Sequence, residues 1–262
     1  MEKNIIGNNS HGFQNEIEIV NALKNKKYKD LNENLKKFTK YIANDNNNEI
    51  YDYTNIDAKY EKSLKLKQDL YVFEENNKYG VSCKIGKGNS VHQEKCEDFI
   101  SYIKSEFGAI DEICDDIRLF LWADGTLDGT GSLKKDKNGN IISRYTTKQF
   151  KEKYPLETFK IQKFLDEHRE KLIRRFLFIG RHESVVDYIY HGNAEKGDWI
   201  SAEDLVKFNM ENEIDNLLHV GRMSLQTWNA SIKGTSENKR GQLQVKYSKL
   251  KNDIEYLMNK KK

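Results

Sequence analysis

The sequence predicts an α/β fold: a mixed central sheet flanked by helices, with an elaborated C-terminal region. Three observations predict it. Apolar residues at helical spacing alternate along the chain with short β-branched and aromatic runs, so helices and strands interleave. Residues 69–84 hold two β-rich runs around a polar break, the signature of a hairpin. The 14 Tyr, 12 Phe and 3 Trp supply bulk for a packed core although only 37% of residues are hydrophobic, which excludes a chain disordered throughout. A length of 262 residues suits one large domain or two modest ones. Residues 1–123 read as a core, and 124–262 as a region that completes the fold.

Taken in order, Phe13, Ile17, Val20 and Leu23 recur at helical spacing and predict a helix over 13–24. A second covers 31–43, with Leu31, Leu35, Phe38 and Tyr41 inward. The polar, Asn-rich 44–66 reads as loop. In the hairpin, Asn76 and Asn77 make the turn, because Asn tolerates positive φ. That register sets Asp69 opposite Lys84, with Ser82 on the same face, while Leu70, Val72, Val81 and Cys83 face the core. Ser90 as N-cap with Gln93 three residues on resembles a capping box, so a helix should run from there to Phe107 along Cys96, Phe99, Ile103 and Phe107. Residues 117–123 read as a buried strand and the Gly-rich 124–147 as a loop or inserted hairpin. A long helix covers 157–174, and 176–179 and 185–190 read as strands. Ser201 opens another helix, carrying Leu205, Val206 and Phe208. Strands at 223–232 and 242–250, joined by the polar 234–241, and a last helix close the chain.

Lys and Arg total 44 against 41 for Asp and Glu, a net charge of +3, which permits a basic cleft beside an acidic site without arguing for one. No apolar run could span a bilayer and the first residues carry no signal-peptide core. The 3 cysteines, Cys83, Cys96 and Cys114, lack CxxC spacing, which argues against disulfides and zinc and for a reducing cytoplasm. His182 and His191 have no partner at zinc spacing and read as structural. GxxxxGK[ST] is absent, so no nucleotide cofactor is expected.

An acid, a lysine and a second acid beside a hairpin are what Mg²⁺-dependent phosphodiester hydrolysis needs. Carboxylates hold the hard cation, the cation lowers the pKa of a bound water, and the lysine compensates charge at phosphate. The pair Asp69 and Lys84 meets that requirement; an ordinary cross-strand ion pair would look the same from spacing alone.

Asp69, twelve intervening residues, then Ser82-Cys83-Lys84 resembles the D…(D/E)xK signature of the PD-(D/E)xK nuclease superfamily. The run 84–94, Lys-Ile-Gly-Lys-Gly-Asn-Ser-Val-His-Gln-Glu, is similar to restriction-endonuclease-like proteins, and the resemblance covers about residues 10–123. It implies a restriction-endonuclease-like core and a type II restriction endonuclease that cuts duplex DNA with Mg²⁺, for which Mn²⁺ substitutes. It implies that Asp69 binds the metal with the Cys83 carbonyl and that Lys84 positions the attacking water. Gln68 replaces the usual proline, and Ser82 stands where the second acid belongs. Serine is no charged ligand; in SxK variants the acid comes from the following helix, here Glu94 or Glu97. Glu16, on the first helix, would support the metal or its water. Repair or junction-resolving nucleases of the same fold, and an inactive DNA-binding module, are the rival readings.

The DNA contacts expected near the site are Lys87, Asn89 and His92. A second QxK, Gln244-Val245-Lys246, lies late in the chain. Alternation sets Gln244 and Lys246 on a polar face, and Gln suits adenine as Lys and Arg suit guanine. With Arg222, Gln226, Trp228, Asn229, Lys239 and Arg240 this makes the C-terminal third the expected DNA-contacting region. One site per chain and two strands to cut imply a homodimer on a palindromic target.

Overall fold

In chain order the elements are α1 (Ser10–Leu23), β1 (Lys26–Lys27), α2 (Glu33–Asp45), β2 (Asn55–Tyr60), β3 (Leu70–Glu74), β4 (Asn77–Lys84), β5 (Ser90–Lys95), α3 (Cys96–Phe107), α4 (Asp111–Trp122), α5 (Thr147–Lys153), α6 (Pro155–Glu167), α7 (Arg169–Arg174), β6 (Tyr188–Gly192), β7 (Gly197–Ser201), α8 (Ala202–Glu211), β8 (His219–Val220), β9 (Met223–Thr227), β10 (Gln242–Lys246) and α9 (Leu250–Lys260). This computed structural model describes residues 10–63, 65–86, 90–132, 134–139, 142–214, 218–228 and 239–261. Among the described residues no helix is long and apolar enough to cross a membrane.

The strands form a six-stranded sheet in the order β1-β2-β3-β4-β6-β7 and a four-stranded sheet in the order β5-β10-β9-β8. Each sheet belongs to its own compact unit. The first unit comprises residues 1–88, 177–208 and 249–262, the second 89–176 and 209–248. The boundary at residue 123 read from the sequence is not where the chain divides, because each unit draws on both halves.

In the first unit the large sheet is mixed: β4 pairs antiparallel with β3 and parallel with β6. Its core face takes Leu70, Val72, Val81 and Cys83 as expected, packed with Ile19 and Leu23 of α1, Leu35, Phe38 and Ile42 of α2, and Tyr188, Tyr190 and Trp199. Burying such side chains stabilises by roughly 1.5–3 kcal/mol each. Asn32 caps α2, its side chain accepting from the Leu35 amide at 2.8 Å. On α1 the buried stripe is Asn15, Ile19, Val20 and Leu23, whereas Phe13 and Ile17 are only half-buried.

Several expectations are corrected. The stretch 44–66 is not all loop, since β2 pairs along the whole of β3; its only apolar inward residues, Ile56 and Ala58, are too few to show as a strand in sequence. The hairpin turn is at Glu75 and Asn76, with Glu75 taking the left-handed φ of 52°. Leu70 therefore faces Val81 and Glu74 faces Asn77. The register differs by two residues, and an even shift keeps every side chain on its predicted face. Ser90 is no N-cap: 90–95 is β5, and the helix begins at Cys96. The segment 117–123 is the end of helix α4, with Cys114, Ile117, Phe120 and Leu121 buried at helical spacing. Residues 175–179 continue the preceding helix as a π-helical turn instead of forming a strand.

Candidate active site

Asp69 stands at the foot of β3, where its amide donates to the Val81 carbonyl at 2.8 Å. That bond ties it to β4 beside Ser82. Its Oδ2 accepts from the Cys83 amide at 2.7 Å and from the Ser82 hydroxyl at 3.2 Å. Lys84 Nζ lies 3.6 Å from the same oxygen. It also donates to Ser82 Oγ at 2.7 Å and to the Cys83 carbonyl at 3.2 Å. Ser82 thus links acid to lysine through one hydroxyl. Asp69 Oδ1 makes no hydrogen bond to any described residue, and the Asp69 side chain is 26% exposed. The cluster therefore has one oriented, occupied carboxylate oxygen and one available oxygen at the solvent.

Glu16 on α1 shares this neighbourhood. The Cys83 thiol is pushed well up, by burial first and then by the negative fields of Asp69 and Glu16, against the opposing field of Lys84. The first unit thus brings together Asp69, Ser82, Cys83, Lys84 and Glu16. The oxygens there, of a carboxylate, a backbone carbonyl and a neighbouring glutamate, are hard ligands of the kind Mg²⁺ takes, with water filling the remaining positions. The residues fit that ion.

From the sequence, Gln68 is only the replacement for the usual proline and His191 only structural; both stand beside the cluster. Gln68 is buried, donating to the Tyr71 hydroxyl at 2.7 Å while its Oε1 lacks a partner. His191 pairs with Lys84 across the parallel seam, and its Nε2 lies 3.2 Å from the Gly86 carbonyl. Burial holds its pKa below the ordinary value, which favours a neutral ring there. Gly80 shapes the same face, because a Cβ on it would lie 1.9 Å from the Val185 carbonyl oxygen. Nothing in the spacing of the sequence marks His191 or Gly80 as part of the cluster.

The two acids expected to replace the missing carboxylate belong to the second unit, and both are engaged there. Glu94 lies on β5, not in a helical turn, and is 2% exposed. Its carboxylate takes Arg175 at 2.6 and 3.2 Å and His92 Nε2 at 3.0 Å. Burial alone would push Glu94 up; the His92 and Arg175 contacts outweigh it and hold the carboxyl below its ordinary range. Glu97 opens α3, where Arg118 grips it at 2.9 and 2.8 Å and, through those hydrogen bonds, lowers its pKa. His92 is a buried partner of Glu94, packed on the Phe176 ring, so the expectation that it touches phosphate is corrected.

Among the expected DNA contacts, Lys87, Asn89 and Asn229 lie outside the described residues. Arg240 pairs with Asp124, a side chain only 1% exposed, and lies over the Trp122 ring, which makes it a structural ion pair. Lys239 stacks on Trp228 at 4.7 Å. Arg222 occupies the β8–β9 turn, its amide donating to Asn209 Oδ1 at 3.0 Å. Gln226, Gln244 and Lys246 stand together on the second sheet. Elsewhere in that unit Asp166, Glu213 and His219 bring ligand atoms within 4.8 Å of one another. Arg169 bonds both carboxylates there, at 2.6 and 2.7 Å, and already supplies the cation.

No family model and no curated protein matches the chain. Among solved structures it is similar to restriction endonuclease MspI in complex with its cognate DNA, with a TM-score of 0.59 and 12% identity over 92% of this chain and 93% of that one. Near-complete coverage of both chains shows that the likeness extends through both units. The fold of this chain, with Asp69 and Lys84 side by side at one end of its central hairpin, is that of the restriction endonucleases.

Proposed function

We propose that the chain is a Mg²⁺-dependent type II restriction endonuclease that hydrolyses duplex DNA at a specific sequence. The observation that carries this reading is the Asp69–Ser82–Lys84 cluster, in which one carboxylate oxygen is fixed and the other available. Asp69 and the Cys83 carbonyl would hold the cation, with Glu16 supporting it. When bound, Mg²⁺ supplies charge stabilisation at phosphorus and lowers the pKa of water. Lys84, with its ammonium anchored by Ser82, orients the attacking water and offsets charge building on the phosphate. Ser82 orients the lysine and binds no metal. Two copies of the chain would cut the two strands.

The second reading, an inactive nuclease fold that binds DNA, draws on one observation. Ser82 occupies the second acid's position, and Glu94 and Glu97 are already paired with arginines. Incubating wild type and Lys84→Ala with long unmodified duplex DNA, in Mg²⁺ or in EDTA, separates the readings. Discrete fragments from wild type in Mg²⁺ alone support the endonuclease. DNA bound but left intact in Mg²⁺ and Mn²⁺ supports the inactive module.

A further inference from the structure

The second sheet lines up three glutamines. Gln244 on β10 pairs directly with Gln93 on β5 and with Gln226 on β9, so the three side chains form one row on one face. Above and below the row, the same face carries Gln242 with Lys95, and Lys246 with Ser90 and Ser224. The opposite face takes Leu243, Val245 and Leu225, together with the buried His92 and Glu94. None of the registered residues on the amide face is a carboxylate, and its charges are lysines.

A solvated polar strand face would expose its middle residue. Gln244 does the opposite: it is 9% exposed, yet its side-chain amide makes no hydrogen bond to any described residue. The amide end itself is not closed off, so it meets the surface, where an incoming partner can pair with it. Gln93 and Gln226 each donate Nε2 to a serine of their own strand, at 3.0 and 3.2 Å. Those bonds orient the flanking amides. Where β5 meets β10 the ladder shifts between Val245 and Lys246, a bulge of the kind that re-aims a side chain at a site.

Strands lie about 4.8 Å apart, so the row spans about 10 Å, within the roughly 12 Å width of a DNA major groove. Neutral amides add little to phosphate attraction, which is the work of cations. They discriminate, because each offers a donor and an acceptor side by side, matching the N6 donor and N7 acceptor of an adenine edge. We propose that this amide face reads adenine edges in the major groove of duplex DNA, with Gln244 at its centre, Gln93 and Gln226 flanking it, and Lys246 reaching a guanine. The inference rests on the reading of the chain as a DNA enzyme and names the bases it takes.

The test is selection from a random duplex library with Ca²⁺ in place of Mg²⁺, by the full chain and by Gln244→Met, with sequencing of what is retained. The wild type should enrich a motif that contains A·T pairs. Gln244→Met should lose preference at one or two A·T positions by about 10- to 100-fold. Should Gln244→Met fail to fold by circular dichroism, Gln93→Ala, at an exposed position, carries the same test. A motif unchanged in the variants, or no motif from wild type, overturns the proposal. Cleavage is scored separately in Mg²⁺: a Gln244-dependent motif without cleavage sinks the endonuclease and leaves the reading face standing.

Discussion

Ser82 decides how the cluster is built. Its hydroxyl donates to Asp69 and accepts from Lys84, so removing it frees both partners without removing either. Hydrogen bonds to charged groups are worth about 1.5–3 kcal/mol. Ser82→Ala should therefore lower kcat by roughly tenfold to a hundredfold, with DNA affinity in Ca²⁺ kept, as single-turnover cleavage would show. Glu94 belongs to a different argument. With its side chain fully buried against Arg175, Glu94→Ala leaves an uncompensated charge and should cost about 3–5 kcal/mol in urea unfolding. A folded pKa held below the unfolded one gives stability that is present above the ordinary carboxylate range and lost as pH falls through the folded value. The gap between wild type and Glu94→Ala should accordingly narrow at acid pH; a constant gap would mean the pair is not what Glu94 stabilises. Asp69 and Lys84 were legible in the sequence because alternation fixes faces. The partners of Glu94 and Glu97 were not, since Arg175 and Arg118 are far away in the chain and only packing brings them near.

At the scale of elements, the hairpin shows what spacing can and cannot fix. Side-chain faces survived a turn placed one residue too late, because the shift it causes in pairing is even. Strand β5 was misread since Ser90 and Gln93 mimic a capping box, and the competing claim, pairing with β10 about 150 residues later, is non-local. Helix α4 was misread as a strand because Leu119, Phe120 and Leu121 look like a buried run when Cys114 and Ile117 are ignored. The turn end of the hairpin carries its own titration. Glu74 closes β3 beside a cavity of about 160 Å³ shared with Asn48, Glu49 and Thr54, and its Oε1 has no partner. Burial pushes its carboxyl up to about 7. A folded pKa above the unfolded one gives stability that is full below the unfolded value of 4.5 and lost as pH rises through 7. Glu74→Gln removes that loss. It should raise the Tm relative to wild type at pH 8, by up to about 3 kcal/mol of stability, and have little effect at pH 4.5. Equal shifts at both pH values would mean the carboxyl is not titrating.

For the whole molecule, the division of labour follows the two sheets. The first unit carries the acid and the lysine on local hairpin geometry, with Glu16 of α1 in the same neighbourhood. The second unit offers an amide face whose members come from three strands scattered between residues 90 and 246. The fold class could be read from the chain because the hairpin and its preceding helices are local. The interleaving of the units could not, since four passages of the chain between them leave no mark in composition. The most direct measurement is single-turnover cleavage of plasmid DNA in Mg²⁺ by wild type, Asp69→Asn and Lys84→Ala, each verified as folded by circular dichroism. The account predicts cleavage by wild type and a loss of at least about a hundredfold in each variant. Cleavage that persists in both would place the chemistry elsewhere and contradict it.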